Sequence, residues 1–316
     1  MRAGLTLGTS GDPGDVADEA RRAERLGFDL VAAGEHIFFH GPTSNAFLTL
    51  AAAAAVTEQI RLLSALTILP VYPMAMAAKM ATTLDHISHG RFDLGVGVGG
   101  EYPPEFAASG VPVAGRGTRT DEALEVMVRL LSGETVTAEG QFGSLQQLRL
   151  DPPPVQQPHL PIWVGGRKMP AMRRAGRFAD VWMPYMVSPE SFARSLTEAR
   201  AFATQAGRPA ESLTGAVFIW GCVDADPGRA RREAVEAVSH IYNQDFGPLA
   251  DRYLLHGDPD MIVTRLAEYQ AAGADTVIFS AACAPERQAS VTELFAEAVL
   301  PRLSGDADVG WSAASH

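Results

Sequence analysis

Apolar, β-favouring runs alternate eight times with stretches of helical spacing, and this alternation limits the possible folds more than any other feature of the sequence. The runs lie at residues 5–7, 29–34, 60–69, 91–100, 161–166, 180–184, 213–223 and 274–280. Helical stretches fall between and after them, at about 16–28, 47–56, 74–85, 119–131, 169–179, 189–206, 227–241, 260–272 and 286–300. Asp15 is the expected cap of the first helix and Gly27 its stop. Short strands joined by helices make βαβ units and a parallel sheet. Eight units in 316 residues, with no linker rich in Pro, Gly or Ser before the last dozen, predict one α/β domain. The expected architecture is a single (β/α)8 TIM barrel, which typically takes ~250 residues.

The rhythm breaks once, after the fourth run. Residues 101–117 read as loop, 134–150 as a polar stretch with two strand-like pieces, and Pro152-Pro153-Pro154 ends the departure. This is an insertion after strand 4, about 101–160, in a domain of 1–303. Residues 304–316 are small and polar and are expected to form a disordered tail.

The fourth run, RFDLGVGVGG, carries glycines at 95, 97, 99 and 100. Glycine weakens a strand interior, so glycines at a strand's end imply close approach of something bulky to the backbone. Gly95, Gly97 and Gly100 also satisfy G-x-G-x-x-G. In a dinucleotide-binding unit those glycines leave the strand and open a helix, with an acidic residue ~20 positions on. Here they lie inside the strand, Glu101-Tyr102-Pro103-Pro104 follows, and Asp121 opens a helix, so the match is rejected. Gly95 and Gly97 are assigned to packing, and Gly99 and Gly100 to a cofactor site at the strand's end.

The formal net charge is −11 and the pI near 5.2, which argues against nucleic acid or an anionic membrane as a partner. Two cysteines are too few for a disulfide framework and suit a reducing cytoplasm. The N-terminal residues lack a signal-peptide core and no apolar run spans a bilayer, so a cytoplasmic location is expected.

In a TIM barrel the functional groups collect at the C-terminal ends of the strands. Those ends hold Gly8-Thr9-Ser10, Glu35-His36, Gly165-Gly166-Arg167, Tyr185, Trp220 and Ser280. Gly165-Gly166-Arg167 closes a strand and opens a helix, where unpaired N–H groups and an arginine fork suit a phosphate; a plain turn with a solvated arginine is the alternative. His36 follows Glu35, whose carboxylate is expected to orient the imidazole for proton transfer. Glu101 is a candidate second acid, and Phe38 and Tyr185 are candidate substrate contacts. His86 and His89 in DHISH belong to a helix end on the opposite face, so no metal site is expected.

Several stretches together resemble the bacterial luciferase-like monooxygenases. These are GEHIFF, IRLLSALTILP, LDHISHGRFDLGVGVGGEYPPEF, RGTRTDEALEVM, PIWVGGRKMPAMRRAGRFADVW and GDPDMIVTRLAEYQAAGADTVIF, in order over about residues 1–303. The resemblance implies a TIM barrel that binds reduced FMN, or alternatively the deazaflavin coenzyme F420, at the strands' C-terminal mouth. It implies a non-prolyl cis peptide at Ala65-Leu66 behind the ring and a histidine at position 36 beside it. It implies a flavin-dependent oxidoreductase, most simply one using reduced FMN and O2 on a small organic substrate, with a separate reductase supplying the reduced flavin. Hydride transfer with coenzyme F420 is the alternative within the family, and a non-catalytic flavin-binding protein the alternative outside enzymes. Family members are often dimers, so a homodimer is expected.

Overall fold

The computed structural model describes residues 1–8 and 13–303. The expected contribution of Thr9 and Ser10 and the expected tail at 304–316 lie outside the described residues. Eight parallel strands close on themselves. They are β1 (Arg2–Thr6), β2 (Leu30–Ala33), β3 (Arg61–Ser64, resuming as Thr67–Ile68), β4 (Phe92–Gly97), β5 (Ile162–Gly165), β6 (Val181–Met183), β7 (Thr214–Val223) and β8 (Ala274–Ala281). Each pairs with the next in the chain, β7 pairs with β6 at Thr214 and Gly215, and β8 returns to β1, so the eight strands close into a barrel. This is the expected TIM barrel.

Two apolar layers hold it. Inside, Leu30, Leu63, Trp163, Val181, Met183 and Ile278 fill the barrel. Outside, the strands' other faces meet the helices in one continuous core containing Val31, Leu62, Phe92, Val164 and Val217. Burial on both faces is why the strands read as unbroken apolar runs rather than alternating ones.

The helices are α1 (Val16–Arg25), α2 (Ala46–Ala54), α3 (Met74–Ile87), α4 (Pro103–Ala108), α5 (Arg116–Leu131), α6 (Met169–Phe178), α7 (Pro189–Gln205), α8 (Pro227–Tyr242), α9 (Ala250–Tyr253), α10 (Pro259–Ala271), α11 (Gln288–Ala298) and α12 (Leu300–Leu303). Asn45, Ser188, Asp226 and Asp258 cap α2, α7, α8 and α10 through their side chains. Asp15 does not cap α1 in this way: it ends a 3-10 turn with helical backbone angles, and its side chain makes no cap hydrogen bond. Gly27 does follow the helix with φ +84°, as its expected stop. Among the described residues, no helix is long and apolar enough to cross a membrane.

Three further details depart from the sequence reading. The stretch read as loop after β4 contains α4, and α5 begins at Arg116. A short strand, Leu255–Gly257, follows α9 and pairs with the end of β7. The third run is not one strand, since it is interrupted at Ala65-Leu66, where the non-prolyl cis peptide implied by the resemblance is present. The insertion otherwise has the anticipated character, with Val136–Glu139 and Ser144–Leu148 forming an antiparallel hairpin.

The DHISH stretch is a clamp on the N-terminal face. The Asp85 carboxylate, fully buried, accepts the N–H of Val155 (2.6 Å) and of Gln156 (3.1 Å) and the Gln156 side-chain amide (2.9 Å). His86 Nε2 lies 2.7 Å from the Pro153 carbonyl oxygen. These contacts fasten the returning end of the insertion under β4. Among the described residues, no group of three or more metal-capable side chains occurs.

The interruption in β3 explains the glycines of β4. Leu62 and Leu63 pair with Phe92 and Asp93, and pairing resumes with Thr67 against Val96, so residues 64–66 oppose only 94 and 95. Ser64 bridges the gap: its hydroxyl donates to the Gly95 carbonyl (3.0 Å) and accepts the Gly95 N–H (2.9 Å). A Cβ on Gly95 would lie 1.9 Å from the Ser64 carbonyl oxygen, which is backbone and cannot move aside. Gly95→Ala is therefore expected to lower the unfolding free energy by about 1–3 kcal/mol or more. Gly41→Ala, with nothing within 4 Å of its added Cβ, is expected to stay within about 0.5 kcal/mol of the parent in the same denaturant titration.

Candidate active site

The C-terminal mouth is where the strands' burial gives way. Thr6, Ala65, Leu66, residues 97–100, Gly165, Gly166, Tyr185, Phe218 and Trp220 are all half-buried, directly above the closed interior. Leu66 occupies the floor. A Cβ on Gly165 would meet its Cδ1 at 2.0 Å, and one on Gly97 would meet its Cβ at 3.3 Å. Gly97 and Gly165 thus leave room for the side chain that the interruption in β3 turns into the barrel.

Glu35 and His36, adjacent in sequence, go separate ways. Glu35 is buried in the wall. Its carboxylate accepts the Ile68 N–H (2.8 Å), the Tyr72 hydroxyl (2.9 Å), the Ala46 N–H (3.3 Å) and the Asn45 side-chain amide (3.3 Å). Burial raises its pKa, while the Ile68, Tyr72 and Ala46 bonds work the other way. Burial, then the Glu35 charge, also pushes the Tyr72 hydroxyl well above its ordinary value. Glu35 therefore joins the end of β2 to α2 and to the resumption of β3. It does not orient His36, contrary to the sequence reading.

Glu105 takes that part. It belongs to the first turn of α4 and is fully buried. Both its oxygens lie 3.2 Å from His36 Nδ1, and Oε2 also accepts the Ile37 N–H at 3.2 Å. An ionised carboxylate only accepts, so the ring hydrogen belongs on Nδ1 and Nε2 is left for proton exchange. Phe39 stacks on the imidazole at 4.1 Å between centroids and fixes the plane of the ring. His36 is 21% exposed against 0% for Glu105, an arrangement in which the carboxylate is inaccessible and the imidazole reaches the mouth.

The other anticipated residues are placed as follows. Ala65 and Leu66 form the cis peptide on the floor. Gly99 and Gly100 take φ +58° and +106°, and the Arg116 guanidinium covers them, its Nε donating to the Gly99 carbonyl at 3.0 Å. They make the turn that leads into α4. Gly166 takes φ +105°, and its carbonyl accepts the Trp182 indole N–H at 2.8 Å. Arg167 is exposed beside the N-terminus of α6; it donates to the Met186 carbonyl at 2.8 Å and lies over the Tyr185 ring at 5.4 Å. Glu101 is exposed at the rim, and Phe38 is 53% exposed, with Phe39 rather than Phe38 against His36.

A buried clasp holds the β7–β8 side of the mouth. The Asp224 carboxylate, just past β7, accepts from Arg229 and from Arg287, which lies beyond β8. Burial opposes ionisation, but the bonds from Arg229, the Asp226 N–H and Arg287 win and bring its pKa down to about 2. A depressed carboxylate stabilises the fold above its ordinary pKa and loses that contribution as pH falls toward the folded value. Asp224→Asn is expected to lower the melting temperature most at neutral pH, with the gap to the parent closing between pH 4 and pH 2. A gap independent of pH would remove the clasp from the acid limb of stability.

With the geometry in place, the comparisons with known proteins decide the family. The model of the luciferase-like monooxygenase family matches residues 1–276. The chain belongs to this family. Among curated proteins, the uncharacterized protein Rv0940c of Mycobacterium tuberculosis is 34% identical over 176 residues, 55% of this chain; the match spans 60% of that relative's length. Among solved structures, the monooxygenase RslO1 from Streptomyces bottropensis is 26% identical, with a TM-score of 0.83 over 95% of this chain and 99% of that one. The coenzyme F420-dependent tetrahydromethanopterin reductase from Methanopyrus kandleri gives 0.77 at 21% identity over 96% and 99% of the two chains. The oxygenating constituent of 3,6-diketocamphane monooxygenase from Pseudomonas putida, in complex with FMN, gives 0.78 at 21% over 96% and 98%. At 21% identity the last two show a shared fold.

Proposed function

We propose that the protein is an oxidoreductase that holds a flavin-type coenzyme in the barrel mouth and acts on a small organic substrate there. The observation that carries this reading is the His36–Glu105 pair at the rim of a half-buried apolar floor. The residues present fit such a coenzyme. Ala65 and Leu66 offer an apolar seat, and Gly97 and Gly165 leave room for the Leu66 side chain that forms it. Gly166, Arg167 and the N-terminus of the ten-residue α6 suit the phosphate end. When bound, the coenzyme would supply the electrons of the reaction.

The chain's own part is binding, orientation and proton handling. Glu105 holds the imidazole by Nδ1, Phe39 fixes its plane, and Nε2 accepts or returns a proton at the reacting group. Glu35 and Tyr72 keep the seat in register with β2, since Ile68 donates to Glu35 directly after the interruption. The first reading is the use of reduced FMN, supplied by a separate reductase, with O2. Membership of a monooxygenase family and the likeness to RslO1 support it. Coenzyme F420 with hydride transfer is a second reading, favoured by the buttressed imidazole: a fixed base suits removal of an alcohol proton as hydride leaves the adjacent carbon.

Titration of the purified chain with FMN and coenzyme F420 side by side, followed by oxygen uptake, separates the two readings. Saturable FMN binding and substrate-dependent oxygen uptake are expected for the first; tight coenzyme F420 binding without oxygen uptake supports the second. Binding of neither contradicts both. His36→Gln is expected to keep the coenzyme and lower turnover by about 10²–10⁴, and Glu105→Gln to lower it less. Arg167→Ala is expected to weaken coenzyme binding by about 1.5–3 kcal/mol, and an unchanged affinity would take the arginine out of the site.

A further inference from the structure

Two tyrosines on the far side of the mouth from His36 hold hydroxyl hydrogens that no described residue accepts. Tyr185 follows β6 and bridges to Phe218; Tyr242 is the last residue of α8. Both are half-buried. The Trp220 indole N–H donates to the Tyr242 hydroxyl oxygen at 3.2 Å, so that oxygen is occupied as an acceptor while its hydrogen is left over. The Tyr185 hydroxyl makes no hydrogen bond among the described residues; only its ring is engaged, by Arg167. A half-buried phenol that keeps its hydrogen unspent is a donor waiting for an oxygen.

Both phenols stay protonated near neutral pH. Burial raises Tyr185, with the Glu101 charge adding to it. Burial pushes Tyr242 up to about 12 against the Trp220 bond, with Tyr185 and Glu101 adding to it. Glu101 and Arg167 both act on these hydroxyls, with opposite signs.

Ring faces surround the donors. Phe218 meets Trp220 edge-on at 5.4 Å, and Tyr242 lies 5.6 Å from Phe246. Glu101, whose charge reaches both phenols, is next in sequence to Tyr102, which packs edge-on against His40 (5.3 Å) and Phe39 (6.5 Å). The aromatic groups on the His36 side and on the β6–β7–α8 side lie toward the C-terminal ends of the strands, on one face of the barrel. Faces and edges at these separations select planar aromatic partners.

We propose that Tyr185 and Tyr242 form a hydrogen-bond clamp for the substrate, an aromatic compound whose hydroxyl or carbonyl oxygen they bind. The inference rests on the oxidoreductase reading of the same mouth and names its substrate class. The clamp sets which end of the substrate is anchored, so the carbon beside that oxygen is presented toward His36. A site built to donate to an oxygen discriminates strongly against compounds that lack one in the right place.

The test is calorimetric titration of the full chain with three probes: 2-naphthol, naphthalene, which lacks the oxygen, and the linear ketone decan-2-one, which lacks the ring. Saturable binding of 2-naphthol in preference to both others is expected. The double variant Tyr185→Phe, Tyr242→Phe is expected to weaken 2-naphthol by about tenfold or more while the affinity for FMN or coenzyme F420 stays within about twofold. Thermal melting of the double variant checks that it is folded, and Trp220→Phe, which frees the Tyr242 oxygen, gives a milder second variant. Equal or tighter binding of decan-2-one or naphthalene overturns the inference, as does a double variant that binds 2-naphthol like the parent or loses the coenzyme instead. Coenzyme binding with no 2-naphthol binding removes the aromatic clamp alone; absence of both removes the oxidoreductase reading as well.

Discussion

A buried carboxylate must be met by donors, and two such carboxylates on either side of one strand end set the shape of the mouth. Glu35 gathers donors from α2, from Tyr72 and from the backbone just past the interruption in β3. Glu105 gathers the next residue's imidazole and the following N–H. The first interaction fixes the barrel wall. The second pulls α4 over the rim, so that the loop after β4 and the loop after β2 are held as a unit. Without Glu105, the imidazole would be held only by its stack on Phe39.

The apolar floor depends on a second constraint, which is space. Leu66 turns inward because three residues of β3 oppose two of β4, and the side chain then fills the volume above Gly95, Gly97 and Gly165. Each of those glycines answers a specific atom rather than a general need for freedom. The clasp of Asp224 with Arg229 and Arg287 does for the β7–β8 side what the two carboxylates do for the β2 side. The mouth is thus rigid on two flanks, with the half-buried tyrosines between them.

The barrel was legible because its strands are buried on both faces and its helices carry ordinary stop signals such as Gly27. The site was legible only in part. Glu105 stands 69 residues from its partner and sits in a proline-rich stretch that reads as loop. A signal was present: Pro103 followed by an acidic residue in a first turn marks a helix start. Even so, nothing local states that this carboxylate is buried or that its neighbour is His36. Glu35, by contrast, lies beside His36 in sequence but is turned into the wall by side-chain alternation at the strand's end. The glycines of β4 announced a close approach, yet the approaching group proved to be Leu66 and the Ser64 carbonyl of the adjoining strand. Asp85 and His86 of DHISH serve a crossing segment some seventy residues away, which spacing alone does not reveal.

The central claim is that Glu105 holds His36 by Nδ1 and leaves Nε2 for the reacting group. Long-range ¹H–¹⁵N correlation spectra of the imidazole, recorded on the uniformly labelled chain with His36→Gln to assign the signals, test it most directly. The account predicts that neutral His36 carries its hydrogen on Nδ1, and that Glu105→Gln disturbs this preference. A neutral His36 found with its hydrogen on Nε2, unaffected by Glu105→Gln, would contradict it.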